Sequence, residues 1–434
     1  MVLTDESRRT FRAEDLESPR TPWDWVGVLG TGQSLSVGEC GMPVRSTVQR
    51  FNNLKLDTGV LSWPVDPRDP SLRTVPLTEP VGRTASDYPS AWPENIAGET
   101  LHTTMASQVT AMTRAMFDED HVGVHSAVGE NGQGIRYLKK DAARDGINGR
   151  AFEASEIEVS ALVRLAAEAG KSYGIGAIVV THGETDADNG LYGEQLVQLW
   201  KDYNEALSRL TGQAKPIQMI VSQQNSVNDF AASSSAQWRI PLDIPEGIVC
   251  SGPKYVYPYA PDGVHLSTEG YRRLGEKTGQ VYFERVVCGR PWQPLMPLSA
   301  RRDSDGILVR FHVPFGPLVF DESLPRPHAD SPERREGRGF EVRMRRDGQA
   351  VRIRDTRIEG DSVRILFDAE DEEPVDVAYA MTAPTGEPFR WTENTKERIG
   401  TYRWGCLRDS DPFVGLETGA AQPNRCVAFE IMIK

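Results

Sequence analysis

The chain has 434 residues, 39% hydrophobic and 26% charged, an ordinary globular composition with room for two or three domains. Its net charge of −13 argues against nucleic acid or an anionic membrane as partner, since either needs a basic face. No apolar stretch approaches the ~20 residues of a membrane span.

Residues 1–20 read as a polar arm carrying both signs of charge. They hold no apolar signal core, so the expectation is a cytoplasmic enzyme, or a secreted one whose signal is absent from this chain. Val26–Leu29 is a short apolar run, as in a buried parallel strand. It breaks into Gly30, Gly32, Gln33 and Ser34, a turn that can expose a hydroxyl at a sheet's carboxyl edge. A helix after the turn would aim backbone N–H groups at the same point. Residues 39–100 are rich in Pro, Gly, Asp and Thr without periodicity and read as a long excursion over that edge.

Residues 98–117 carry Leu101, Met105, Val109, Met112 and Met116 at helical spacing. Val122–Val124 reads as a strand leading into Gly129-Glu130-Asn131-Gly132-Gln133-Gly134-Ile135. A helix over Glu153–Ala169 precedes a strand at Ala177–Val180, which delivers His182-Gly183-Glu184-Thr185-Asp186 at its end. Leu196–Leu210 is the next helix and Ile217–Ser222 the next strand. After Pro258, the run Asp262-Gly263-Val264-His265 forms a turn, and Ser267 can cap a helix running to Val281. Strands alternating with helices predict a parallel sheet covered on both faces.

The character changes near residue 293. Residues 293–306 read as a linker, followed by period-two alternation at Ile307–Val313, Val351–Ile353, Val363–Ile365 and Val375–Val377, and a final strand in the tail. That pattern predicts an antiparallel β-sandwich or jelly roll over 296–434, joined to a catalytic unit over 1–295. Arg343–Arg346 reads as a solvated strand face. No internal repeat is evident.

Ser34 early, with Asp262 and His265 three apart and late, is a chain order suited to serine hydrolysis. A serine hydroxyl is a poor nucleophile at neutral pH and needs a base within hydrogen-bond reach. His265 would take its proton, and Asp262 would fix the imidazole tautomer. The bland alternatives are a capping serine, a turn aspartate and a surface histidine. Five scattered cysteines include no C-x-x-C pair and read as buried thiols, with a Cys406–Cys426 bridge open if the protein is secreted. His121 and His125, at i and i+4 around a strand, are a weak metal candidate beside the core reading. Trp63, Trp92 and Trp238 could stack sugars or pack in the core. Trp391 and Trp404 could do the same in the C-terminal region.

Gly32-Gln33-Ser34, Asp262-Gly263-Val264-His265, the His182–Asp186 motif and the loose glycine motif together resemble the SGNH (GDSL-like) hydrolase superfamily. Within it the chain is similar to the carbohydrate acetylesterase and sialate O-acetylesterase group, whose nucleophile motif reads Gly-Gln-Ser. The resemblance spans roughly residues 20–290. It implies a flavodoxin-like three-layer α/β fold and a serine esterase that removes acetyl groups from a carbohydrate without metal or cofactor. It also implies an oxyanion hole from the N–H groups of Ser34 and of Gly132 or Gly129, with Gly132 preferred by its spacing to Ile135. A third donor would be His182, where the superfamily has Asn and the closer group Gln. A neutral imidazole can donate one hydrogen bond in that place. Two rivals stand: a lipid or aryl esterase on the same triad, and a non-catalytic glycan-binding protein.

Overall fold

In the computed structural model, residues 18–57, 66–81, 98–142, 144–147, 149–225, 230–304, 306–323, 336–368, 374–381 and 403–433 are described. The first sheet has seven strands: β1 (Trp25–Gly32), β2 (Leu54–Leu56), β3 (Thr74–Pro76), β4 (Gly123–Ala127), β5 (Tyr173–Thr181), β6 (Gln218–Gln223) and β7 (Ile248–Pro253). Their spatial order is β3-β2-β4-β1-β5-β6-β7, parallel throughout except for β3, which runs against β2. The chain leaves β1 toward β4 on one side and β5 on the other. Such a switch in strand order opens a crevice at the carboxyl ends of the strands.

Among the described residues five helices cover this sheet: α1 (His102–Phe117), α2 (Ala151–Glu168), α3 (Tyr192–Thr211), α4 (Ala232–Asp243) and α5 (Thr268–Tyr282). Neighbouring strand residues point to opposite faces, and the core divides accordingly. Val28, Ala177 and Val179 pack with Met105 and Val109 of α1 and Leu274 and Val281 of α5. Leu29, Ile178 and Val180 pack on the other face with Leu162 of α2 and Leu199 and Tyr203 of α3. Both faces of the strands are therefore buried, which accounts for their near-continuous apolar runs. Ser267 caps α5 as its sequence indicates, its hydroxyl accepting from the Gly270 N–H at 3.2 Å.

From Met296 onward the strands are antiparallel. One sheet runs β13 (Ile353–Glu359), β14 (Ser362–Phe367), β9 (Gly306–His312), β8 (Met296–Asp303). The other runs β12 (Ala350–Val351), β11 (Phe340–Met344), β15 (Val375–Tyr379), β17 (Phe429–Met432), and a two-stranded ribbon joins β10 (Val319–Phe320) to β16 (Leu407–Arg408). The two larger sheets meet through the ring of Phe311 on β9, with centroids 6.3 Å from Phe340 and 6.0 Å from Phe429.

Six elements differ from the sequence reading. The stretch read as a linker contains β8, an edge strand, where the proline at 297 is tolerated because one side of the strand is unpaired. The excursion over 39–100 contains β2 and β3, three residues each and too short to show a period. Helix α4 is Ser-rich with Pro241 near its end, a composition that reads as loop. Strand β7 closes the parallel sheet from a sequence that soon meets Gly252 and Pro253. The helix expected straight after Ser34 is a single 3₁₀ turn, Ser34–Ser36.

The two regions share a buried seam. Glu276 of α5 accepts hydrogen bonds from the backbone N–H groups of Glu417 and Thr418, both at 2.8 Å, and from Gln422 Nε2 at 2.7 Å. Gln223 at the end of β6 exchanges two hydrogen bonds with the Ala428 backbone, at 2.7 and 2.8 Å. The 403–433 segment thus supplies partners for the buried Glu276 and Gln223 side chains of the parallel-sheet layer.

Candidate active site

Every candidate site residue follows the carboxyl end of a parallel strand. Gly32 ends β1 with φ +147°, and a Cβ there would lie 2.0 Å from the Thr181 carbonyl oxygen. Only glycine lets β1 turn this tightly against β5. The turn then runs through Gln33 into the 3₁₀ turn, with the Ser36 N–H on the Gln33 carbonyl at 2.7 Å. Ser34 is only 7% exposed, yet its hydroxyl faces the turn that follows β7.

That turn is closed by backbone hydrogen bonds from Gly263 to Ala260 (2.9 Å) and from Ala260 to His265 (2.8 Å), with Gly263 in the left-handed region at φ +64°. Asp262 Oδ1 accepts the N–H groups of Val264 and His265, both at 3.0 Å, and Oδ2 lies 2.6 Å from His265 Nδ1. His265 Nε2 in turn lies 2.7 Å from Ser34 Oγ. A carboxylate can only accept, so the ring proton is assigned to Nδ1, and Nε2 is left as an acceptor for the serine hydroxyl. Partial burial alone would raise the Asp262 carboxyl. The hydrogen bond and charge of His265 and the two backbone N–H groups outweigh it and hold the carboxyl below its ordinary value.

The glycine motif forms a loop beside this relay, tethered at several points. The Glu130 N–H donates to the Gly32 carbonyl at 2.9 Å, tying the loop to β1. Glu130 Oε1 accepts from Arg150 and Ala151 at the start of α2, at 2.6 and 3.0 Å. Asp186 Oδ2 accepts the Ile135 N–H at 2.6 Å, and its carboxylate lies against Gly134. Of the two glycines expected to donate to an oxyanion, Gly129 packs on the turn that holds Ser34: a Cβ there would sit 3.0 Å from the Gln33 carbonyl and 2.1 Å from Ser36 Oγ. Gly132, preferred from spacing, adopts φ +67° with nothing within 4 Å of a Cβ, as a residue at a loop tip does.

His182 departs from its expected role. The ring is fully buried, Nε2 lies 3.0 Å from the Gln133 carbonyl, and Nδ1 lies 3.3 Å from the Tyr192 hydroxyl. The carbonyl only accepts, so Nε2 carries the proton and Nδ1 accepts a hydrogen bond from the Tyr192 hydroxyl. Tyr192 itself accepts from Gln237 Nε2 at 3.2 Å, which gives the chain a single direction. Burial holds the His182 ring below its ordinary value, opposed by the nearby Asp186 charge, so it is neutral. Both nitrogens are committed to the protein, and no N–H remains to reach a substrate. At the position where the resemblance implies an oxyanion donor, the ring is hydrogen-bonded to the glycine loop and to Tyr192.

Several neighbours carry no motif. Glu39 donates its N–H to the Ser34 carbonyl at 3.1 Å, takes the Asn131 amide on Oε2 at 3.1 Å and accepts the buried Tyr271 hydroxyl on its carbonyl at 2.7 Å. Lys254, fully buried just past β7, pairs with Glu184. Cys40 is the single partly exposed cysteine, and its Sγ lies 3.5 Å from Asp262 Oδ2 and 3.8 Å from His265 Nδ1. The other four cysteines are buried, and no disulfide forms, Cys406 and Cys426 included. His121 and His125 lie in the core. His125 Nδ1 meets His102 Nδ1 at 3.2 Å, and His121 Nε2 lies 3.5 Å from the Tyr282 hydroxyl. Trp238 is a core residue, 5% exposed. Trp404 is partly buried, and Trp63, Trp92 and Trp391 lie outside the described residues.

No protein-family model matches the chain, and no curated protein sequence matches it. Among solved structures, it is similar to a carbohydrate acetylesterase from Xanthomonas citri, with a TM-score of 0.54 at 14% identity over 94% of this chain and 80% of that one. A protein from Arabidopsis thaliana matches 61% of this chain over its whole length, at 17% identity and a TM-score of 0.44. NanS matches 62% of this chain and 98% of its own, at 11% identity and 0.38. The first of these shows a shared fold. Among the described residues no helix is long and apolar enough to cross a membrane.

Proposed function

We propose that the chain is a serine esterase that removes acetyl, or another small acyl group, from a carbohydrate through an acyl-Ser34 intermediate. The observation that carries this reading is the continuous relay from Ser34 Oγ through His265 to Asp262, at 2.7 and 2.6 Å. Flavodoxin-like strand order, read as β4-β1-β5-β6-β7, sets that relay at the topological switch point where ligands bind. The antiparallel sheets from Met296 on form an accessory β-sandwich. The carbohydrate and acetyl parts rest on the Gly-Gln-Ser resemblance and on the fold shared with the Xanthomonas citri acetylesterase.

In this reading Ser34 attacks the ester carbonyl as His265 Nε2 takes its proton, and Asp262 stabilises the imidazolium. Charge developing on the carbonyl oxygen needs donors already in place. The Ser34 N–H is one, and the Gly129 N–H is favoured over that of Gly132 because Gly129 packs on the nucleophile turn. His265 returns the proton to the leaving sugar hydroxyl. A water then repeats the sequence on the acyl-enzyme and releases the acid. His182 and Asp186 act by holding the loop that carries the glycine donor.

The test is acid release from acetylated oligosaccharides and from aryl acetate, butyrate and octanoate, each with the wild type and Ser34→Ala. Acetate release lost in Ser34→Ala, with activity falling steeply from acetate to octanoate, is the expected result. Preference for octanoate would make the chain a lipid esterase. No Ser34-dependent hydrolysis of any ester would make it a binding protein.

A further inference from the structure

Cys40 is drawn to the triad by the same turn that holds the nucleophile, six residues after Ser34, with its backbone in the left-handed region at φ +60°. Its Sγ, Asp262 Oδ2 and His265 Nδ1 form a compact set of three donors of different chemistry, each partly exposed. Among the described residues no other group of three histidine, cysteine or acidic side chains converges this closely. A tetrahedral zinc ion at its usual bond lengths keeps sulfur about 3.5 Å from nitrogen or oxygen ligands, and those about 3.3 Å apart. Here sulfur is already 3.5 and 3.8 Å from the other two donors. Only the 2.6 Å Nδ1–Oδ2 pair has to open, because it now shares a proton where an ion would sit.

We propose that Cys40, Asp262 and His265 form an inhibitory site for a thiophilic divalent cation of the zinc type, which switches the enzyme off by reversing the tautomer of its base. The functional half of this inference rests on the esterase reading above; the binding half does not. Metal ligands must be deprotonated. On binding, the Cys40 thiol loses its proton to solvent and Sγ bonds the cation. Nδ1 also bonds the cation, and its proton is replaced by one on Nε2, so the imidazole stays neutral and one proton is released per ion. Nε2–H faces Ser34 Oγ and can no longer accept its proton. Asp262 is spent on the cation at the same time.

Two measurements on the full chain decide this. Zinc is titrated against aryl acetate hydrolysis, and cadmium against the ultraviolet thiolate-to-metal charge-transfer absorption, for the wild type, Ser34→Ala and Cys40→Ser. The expected results are reversible inhibition relieved by chelator, a cadmium–thiolate band in wild type and in Ser34→Ala, and no band in Cys40→Ser. Cys40→Ser should need at least tenfold more zinc for half-inhibition, and apparent affinity should rise with pH. If Cys40→Ser does not fold, slowing of Cys40 alkylation by zinc in the wild type replaces it. A wild type with no cadmium–thiolate band, Cys40 alkylation indifferent to zinc, or inhibition unchanged in Cys40→Ser overturns the site. A wild type with the band but no hydrolysis refutes the esterase reading and leaves the metal site standing.

Discussion

Two loops at the same sheet edge each join a histidine to an aspartate, and they do opposite things. In one, Asp262 and His265 lie three residues apart with a 2.6 Å contact, the side chains 10% and 15% exposed. In the other, His182 and Asp186 lie four apart at 3.8 Å, and the histidine is fully buried. What separates them is where the ring proton goes. His265 Nδ1 donates to Asp262 and leaves Nε2 to the Ser34 hydroxyl, whereas His182 Nε2, the nitrogen nearer its aspartate, donates to the Gln133 carbonyl and leaves Nδ1 to the buried Tyr192 hydroxyl. In the proposed mechanism the first pair acts as a base and the second as a brace, and in each case the partners that decide it come from elsewhere in the chain.

The largest expected effects fall on the first loop. Ser34→Ala and His265→Ala should each lower kcat by about 10⁴-fold or more, and the double variant should be no worse than either, because the two act as one unit. Asp262→Asn should be milder than either by roughly 10²-fold, since the histidine can still take the serine proton from a less favourable tautomer. Ester kinetics on folded variants check this, and additive losses would break the relay.

The buried histidines sharpen the contrast next. Burial holds His102 and His121 down to about 4. A depressed histidine contributes stability that is complete above the unfolded value near 6.5 and is lost as pH falls from there through about 4. Buried Glu79, pushed up to about 7 by burial and by Glu99, acts with the opposite sign: its cost eases as pH falls through 7. Nitrogen-detected NMR should therefore find both imidazoles neutral at pH 5.5 in the folded chain. A titration of either above pH 6 would contradict their burial.

His182→Ala should cost about 1–3 kcal/mol of stability by stranding the Gln133 carbonyl and the Tyr192 hydroxyl, with kcat reduced only about tenfold through a loosened glycine loop. Chemical denaturation read beside kinetics separates the roles. A 10²–10³-fold loss of kcat at unchanged stability would instead return His182 to the oxyanion hole. The smallest effect is expected for Asp186→Asn, which keeps an acceptor for the Ile135 N–H and should cost about 1 kcal/mol.

Legibility in the sequence followed the same division. Asp262, Gly263 and His265 were readable because their geometry is local: a left-handed glycine and an i, i+3 pair define the turn without outside help. The strand that delivers Ser34 was readable because both its faces are buried. His182 was legible as a strand-end residue but not in its role, since Gln133 is 49 residues away and Tyr192 sits on a helix whose rotation no motif records. Cys40 carried no signal beyond proximity to Ser34, because its neighbours come from a turn more than 220 residues downstream. The seam at Glu276 was hidden likewise. Its partners are two backbone N–H groups and the Thr418 and Gln422 side chains of an irregular segment, where no periodic pattern marks the contact.

Covalent labelling with a serine-reactive acyl or phosphonate probe tests the central claim most directly, with the modified residue located by peptide mass spectrometry. The account predicts a single adduct on Ser34, formed rapidly in the wild type and slowed by orders of magnitude in His265→Ala. An unlabelled Ser34 in folded protein, or labelling equally fast without His265, would contradict it.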